Sequence, residues 1–229
     1  MKKYCFVLLC FSCFIETLGQ QSSGVIYYRE EIRSWGLSEE YKLFFNKNES
    51  EYIHLQKGKS FESPQGYTIT IGFDMYEWYL DAKSKSVTER RHLKDGNKIV
   101  ASFVAQPIKW EIQNETKKIL GFTVQKAIAK VHPYSGREGI DVGEAIAWFA
   151  PDLPNSTGPE RFWGLPGIIL HIEFSDYVGE LKAEKIIFEP VGNIKPSQGI
   201  QVSKEELENP SKRNKKWLKK ASDLLNNDN

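Results

Sequence analysis

The chain is poor in cysteine, and all of it lies at one end. Its 3 cysteines, Cys5, Cys10 and Cys13, fall in the apolar stretch behind Met1-Lys2-Lys3, and none follows. From Gln20 onward there can be no disulfide, no thiol nucleophile and no thiolate metal ligand. A charge excess is also missing, since 31 basic residues face 30 acidic ones for a net charge of +1. That balance argues against a general nucleic-acid binder. The 4 histidines, His54, His92, His132 and His171, never pair with another ligand at a zinc-like spacing. No metal or cofactor is expected. The chain has no Gly-x-Ser-x-Gly elbow, no phosphate-binding loop and no dinucleotide glycine fingerprint. Beyond the N-terminus no run approaches the ~20 apolar residues of a transmembrane helix.

What is present begins with Lys2-Lys3, the apolar run Cys5–Ile15, and Thr17 and Gly19 at −3 and −1 of a cut before Gln20. This is the pattern of a secretory signal peptide. It predicts a periplasmic or secreted protein cleaved near Gly19/Gln20. The organisation expected is a signal at 1–19, a single β-rich domain at 20–202 and a basic helical tail at 203–229. A domain of about 200 residues buries about 70% of its surface and can stand on its core alone.

The body reads as strands. Tyr67–Phe73 alternates apolar with small or polar residues, the period of a half-buried strand. Val87–Lys94 and Lys98–Ala105 flank the turn candidate Asp95-Gly96-Asn97, and Leu43–Phe45 and Tyr52–Leu55 flank Asn46–Glu49. Further strands are predicted at Val25–Ile32, Lys109–Gln113, Leu120–Val131, Glu144–Phe149, Ile168–Phe174 and Leu181–Phe188. The fold class expected is mainly β (α+β): one large, curved, mostly antiparallel sheet or half-barrel with a C-terminal helix. The helix signals come late. Ser203-Lys204-Glu205-Glu206 is a capping box, and Trp217, Leu218, Ala221, Leu224 and Leu225 form one apolar stripe. That stripe serves either a helix docked on the sheet or a basic segment lying on anionic lipid or a partner.

Between the strands ending at Phe149 and starting at Ile168 lies a loop dense in restricting residues. It holds Pro151, Pro154, Pro159 and Pro166 with Gly158, Gly164 and Gly167. Leu165-Pro166-Gly167-Ile168 fits a type II turn, with positive φ expected at Gly167. The tract WFAPDLPNSTGPERFWGLPGIILHIEF resembles the signature of the GLPGLI family, with Gly164-Leu165-Pro166-Gly167-Ile168-Ile169 as this chain's version. Trp110-Glu111-Ile112 and the stretch Glu115–Phe122 follow the family pattern too. The resemblance implies an exported protein of Gram-negative bacteria with no assigned activity, and it carries over no catalytic residue. Many family members hold a cysteine where this chain has Val124, so thiol chemistry there is closed to it.

The loop aromatics serve either as core or as the wall of an apolar groove. In the second case Trp148, Phe162, Trp163 and Leu165 are the candidate ligand-binding residues, while Gly158, Pro159, Gly164, Leu165, Pro166 and Gly167 form the structural motif. Three functions follow. The first is a non-enzymatic binder of an apolar small molecule, lipid or hydrophobic peptide, by analogy with the half-barrels of periplasmic lipoprotein carriers. The second is a module docking an envelope protein through a strand edge or the basic tail. The third is a hydrolase using carboxylates such as Asp141 and Glu144 at the Gly-rich bend Ser135–Gly143.

Overall fold

The structure, a computed structural model, describes residues 23–32, 37–55, 59–62, 68–71, 76–93, 96–131, 143–174 and 179–209. The signal segment, most of the bend Ser135–Gly143 including Asp141, His132 and the stripe from Trp217 to Leu225 lie outside the described residues. In chain order the elements are β1 (Gly24–Ile32), β2 (Leu37–Phe45), β3 (Glu49–His54), β4 (Lys59–Glu62), β5 (Thr68–Ile71), β6 (Tyr76–Asp81) and β7 (Ser86–His92). They continue with β8 (Lys98–Val104), β9 (Glu111–Ile119), β10 (Phe122–Val131), β11 (Gly143–Ala150), β12 (Ile168–Phe174), β13 (Gly179–Phe188), β14 (Ile200–Gln201) and α1 (Lys204–Glu208).

Twelve strands form one sheet in the order β14-β8-β7-β6-β3-β2-β1-β13-β12-β11-β10-β9, and β4 and β5 pair apart from it. Every ladder is antiparallel except β14 on β8. The expected mostly antiparallel sheet is therefore present, and it is not closed into a barrel, because β14 and β9 stand at its two ends. One expected strand boundary moves. Leu120 and Gly121, with φ of 50° and 86°, form the turn between β9 and β10, and β9 runs on through Lys117 and Lys118. Both central residues at positive φ suit the twist of a two-residue hairpin.

The sheet must curl strongly. β8 and β9 are ten strand spacings apart in the sheet, about 48 Å if it were flat. Yet only residues 105–110 join Val104 to Glu111, a reach of about 25 Å. The core sits inside that curl. One cluster unites Val87 of β7 and Leu80 of β6 with Ile119 of β9 and Val124 of β10, through Leu153 and Trp163 of the proline-rich loop. Strands so far apart along the sheet can share a cluster only across its hollow. The motif loop is thus a plug filling the hollow.

A second connection crosses the opposite face. Residues 189–199 carry the chain from β13 to β14, seven spacings away, about 34 Å against an extended reach of about 40 Å. This strap is fastened along its path. Asn46 Nδ2 donates to Gly192 O, Ser197 Oγ lies 3.0 Å from Glu51 Oε1 and within hydrogen-bond reach of Glu77, with one proton to donate between them, and an Arg90 nitrogen donates to Gln198 O. Ser50 and Glu51 are consecutive in β3 and so face opposite sides. Ser50 Oγ meets Thr157 Oγ1 of the plug at 2.6 Å, while Glu51 meets the strap. Past the strap the capping box forms as the sequence predicts, and Leu207 of α1 is buried against Ile99 and Ala101 of β8.

The turn geometry expected at Gly167 is not what forms. The positive φ in the motif belongs to Gly164, at 107°, where a Cβ would lie 2.7 Å from Pro107 Cβ. Gly167 is required for another reason: a Cβ there would lie 2.2 Å from the backbone oxygen of Ala150. The two backbones approach too closely for any side chain as β11 leaves for the loop and β12 returns. Gly167→Ala is therefore expected to lower stability by about 2 kcal/mol or more through forced separation of these backbones. Urea titration of the variant checks this, and an unchanged midpoint would refute the close-approach explanation.

Candidate functional site

β12 is buried at five consecutive positions, Ile168 to Ile172, because two apolar clusters meet there. Ile168 and Leu170 join the large cluster with Leu153 and Trp163. Ile169 and Ile172 join a second one with Phe162, Leu165 and Phe149. A register shift between Trp148 and Phe149 leaves Leu170 without a directly opposed partner on β11, as in a β-bulge. Tyr28 on β1 reaches over and donates its hydroxyl to Ile169 O at 2.6 Å.

Three of the four candidate ligand-binding residues are closed into this core. Phe162, Trp163 and Leu165 are 0%, 4% and 1% exposed. Phe162 lies between the rings of Trp110, 6.5 Å away, and Phe174, 5.5 Å away. The backbone oxygen of Trp163 accepts from Trp110 Nε1 at 3.0 Å and from Ile108 N at 3.3 Å, tying the plug to the short β8–β9 link. Gly158, Pro159 and Gly167 are buried, Gly164 is half-buried and Pro166 is exposed. Val124 is buried in the large cluster. Glu144 is exposed at the start of β11, paired in register with Lys130.

Trp148 stands apart from the loop aromatics. It is half-buried, and it anchors a polar group near the β9 end of the sheet. Its Nε1 donates to Glu173 Oε1 at 3.0 Å, and Lys117 Nζ from β9 lies 3.9 Å above its ring. That ammonium also stands 3.2 Å from His171 Nδ1 and 3.5 Å from Glu173 Oε1. His171 Nε2 is 2.7 Å from Glu180 Oε2 on β13. Burial, helped by the Lys117 cation, holds the His171 imidazole below the usual histidine range. Burial likewise lowers Lys117, against the pull of Glu173. The alternation of Ile169, His171 and Glu173 places His171 and Glu173 on one face from sequence alone. Lys117 and Glu180 come from strands whose neighbours in the sheet no local pattern specifies.

A second polar cluster lies on the plug side of β1 to β3. Tyr41 Oη is 2.7 Å from Glu30 Oε2 and 2.9 Å from Glu39 Oε2. His54 Nε2 is 3.3 Å from Glu39 Oε2. Tyr41 is stacked on Tyr52 and on His54, with centroids 5.0 and 4.6 Å apart, and the buried Glu160 of the plug adds negative charge nearby. A phenol has one proton to donate, so two carboxylates cannot both accept from it. The hydroxyl therefore donates to one of the two at a time. Burial and the neighbouring Glu39 raise Glu30, while the bond to His54 lowers Glu39. Of the two carboxyls, Glu30 is therefore the one whose hold on a proton is strengthened, and Glu39 the one held ionised. The arrangement lacks room for a substrate atom between the carboxyls, because Tyr41 Oη fills that place.

The molecule is thus an open, curled β-sheet domain plugged by its own Pro/Gly loop. A family model described as "Protein of unknown function (Porph_ging)" matches residues 136–171, the stretch that contains the plug and the motif. No curated protein matches the chain. Among solved structures it is similar to PNGF-II in space group C2, with a TM-score of 0.59 at 13% identity over 80% of this chain and 31% of that chain. For PNGF-II in space group P21 the values are 0.54, 14%, 75% and 29%. The chain spans under a third of PNGF-II, and at this identity the likeness is one of fold.

The strengthened hold of Glu30 on a proton has a measurable consequence. A carboxyl whose folded affinity for a proton exceeds its unfolded one stabilises the fold fully below the ordinary carboxylate range, and that contribution is lost as pH rises through the raised value. Glu30→Gln keeps a donor at this place and removes the titration. Between about pH 5 and about pH 8, Tm is expected to fall less in Glu30→Gln than in the wild type. Equal slopes in paired thermal melts would refute a raised proton affinity at Glu30.

Proposed function

We propose that the chain is an exported member of the family whose model matches its plug region, and that it acts as a non-enzymatic recognition module for an envelope protein. The N-terminal pattern of Lys2-Lys3 and a following apolar run supports export, and the GLPGLI signature supports membership.

One observation carries the recognition reading. β9 closes one end of the sheet with nine residues, and among the described residues its outer side has no strand neighbour. Such an edge is a template for an added strand. It is also decorated for a specific partner. Ile112 is 46% exposed at one end of it, Glu111, Glu115 and Lys118 are exposed, and the partly exposed Trp148, Lys117 and Glu173 lie just inside. The likeness to less than a third of a longer chain supports a fold that serves as one unit of a larger assembly. An apolar ligand, by contrast, would have to displace Phe162, Trp163 and Leu165 from the plug, so the geometry favours a protein partner.

A photo-crosslinking residue placed at Thr116, in cells that produce the protein, is expected to give one discrete protein adduct. Ile112→Asp should weaken that adduct by about tenfold, in the range of an interface anchor, with the Tm of the purified protein unchanged. The absence of a discrete adduct at Thr116 and at the exposed positions Asn114 and Glu115 would refute docking on this edge.

A further inference from the structure

Glu180, His171 and Lys117 form a relay. The 2.7 Å contact between His171 Nε2 and a carboxylate oxygen requires the ring proton on Nε2. The Nδ1 lone pair is then left facing Lys117 Nζ at 3.2 Å, with Glu173 Oε1 also 3.3 Å from Nδ1. This is the arrangement of orienting acid, base and nucleophile, with both distances inside hydrogen-bond reach. The imidazole is held, since His171 is 5% exposed. The lysine is not sealed in, since its side chain is 36% exposed on an edge strand.

We propose that Lys117 is a nucleophilic amine that captures aldehydes as an imine, with His171 as its base and Glu180 as the group that orients the base. His171 Nδ1 takes one proton from the Lys117 ammonium. The freed lone pair on Nζ forms a bond to the carbonyl carbon, the C=O π pair moves to oxygen, and that oxygen takes one of the two protons left on nitrogen, giving a neutral carbinolamine. The carbinolamine then loses its hydroxyl with the remaining nitrogen proton as water, leaving a C=N bond. No electrons are gained or lost.

The surroundings fit this chemistry. Trp148 offers a ring face at 3.9 Å from the amine, a platform for the organic part of an aldehyde. Glu173 at 3.5 Å favours the ammonium, whereas burial and the neighbouring Lys182 favour the free amine. The inference is independent of the partner proposed for the β9 edge.

The test uses the full chain, folded, with benzaldehyde and sodium cyanoborohydride near neutral pH. Brief labelling is followed by proteolysis and mass spectrometry of every lysine. Lys117 is expected to be labelled about tenfold faster than Lys118 and Lys130, exposed lysines of the same sheet, a modest share of what a positioned base supplies. Glu180→Gln and His171→Asn should each bring Lys117 toward its neighbours while Lys118 is unchanged. Labelling of wild-type Lys117 no faster than Lys118 overturns the proposal. Fast labelling that persists in both variants overturns the relay.

Discussion

The six residues between β8 and β9 hold the rest of the architecture in place. They tie strands ten spacings apart in a twelve-stranded sheet, so a flat or gently twisted sheet is ruled out by the reach of the backbone alone. A curled sheet has a hollow, and an unfilled apolar hollow costs stability through lost contacts. The proline-rich loop answers that cost by entering the hollow with Leu153 and Trp163, while its Phe162 and Leu165 pack in the second cluster. The same short link is bonded to the plug through Trp163 O. Curvature, plug and motif are one device.

The motif glycines make sense in this light. Gly164 takes a backbone conformation that other residues resist, right where the plug touches the link at Pro107 and Ile108. Gly167 lets the chain leave β11 and re-enter β12 with backbones nearly in contact. On the other face the strap is held by polar bonds to Glu51, Glu77 and Arg90 rather than by a broad apolar surface, with Ile194 as its buried apolar residue.

Much of this was legible residue by residue, and the losses have physical causes. Alternation marked β12, while β1 and β13 were expected as further strands; the Asn46–Glu49 and Gly96 turns marked two hairpins, and Ser203 with Glu206 marked α1. Period-2 reading stopped short at β9, because Glu111–Ile119 is an exposed edge strand and its charged residues hide the apolar rhythm. The motif loop was legible as rigid, yet the position of its positive φ was not. Gly167 and Gly164 are equally permissive in sequence, and only the approach of Ala150 to one and Pro107 to the other separates them. The polar clusters were the least legible. Lys117 meets His171, and Tyr41 meets Glu30, through strand neighbours and bulges that no local pattern encodes.

The pairing of β1 has a consequence for how the molecule is assembled. Gly24 begins β1 and pairs with Phe45 on one side and with Phe188 on the other. The first strand thus waits for the last long one, and until then it presents an unsatisfied edge. Contacts of such long sequence separation slow folding, because loop closure must precede the gain from pairing. A chain emerging from its N-terminus can form the hairpins β2–β3 and β7–β8 early but cannot complete the sheet until residue 201 is free. The domain is therefore built to remain incompletely folded through most of its own synthesis, and to close late and cooperatively.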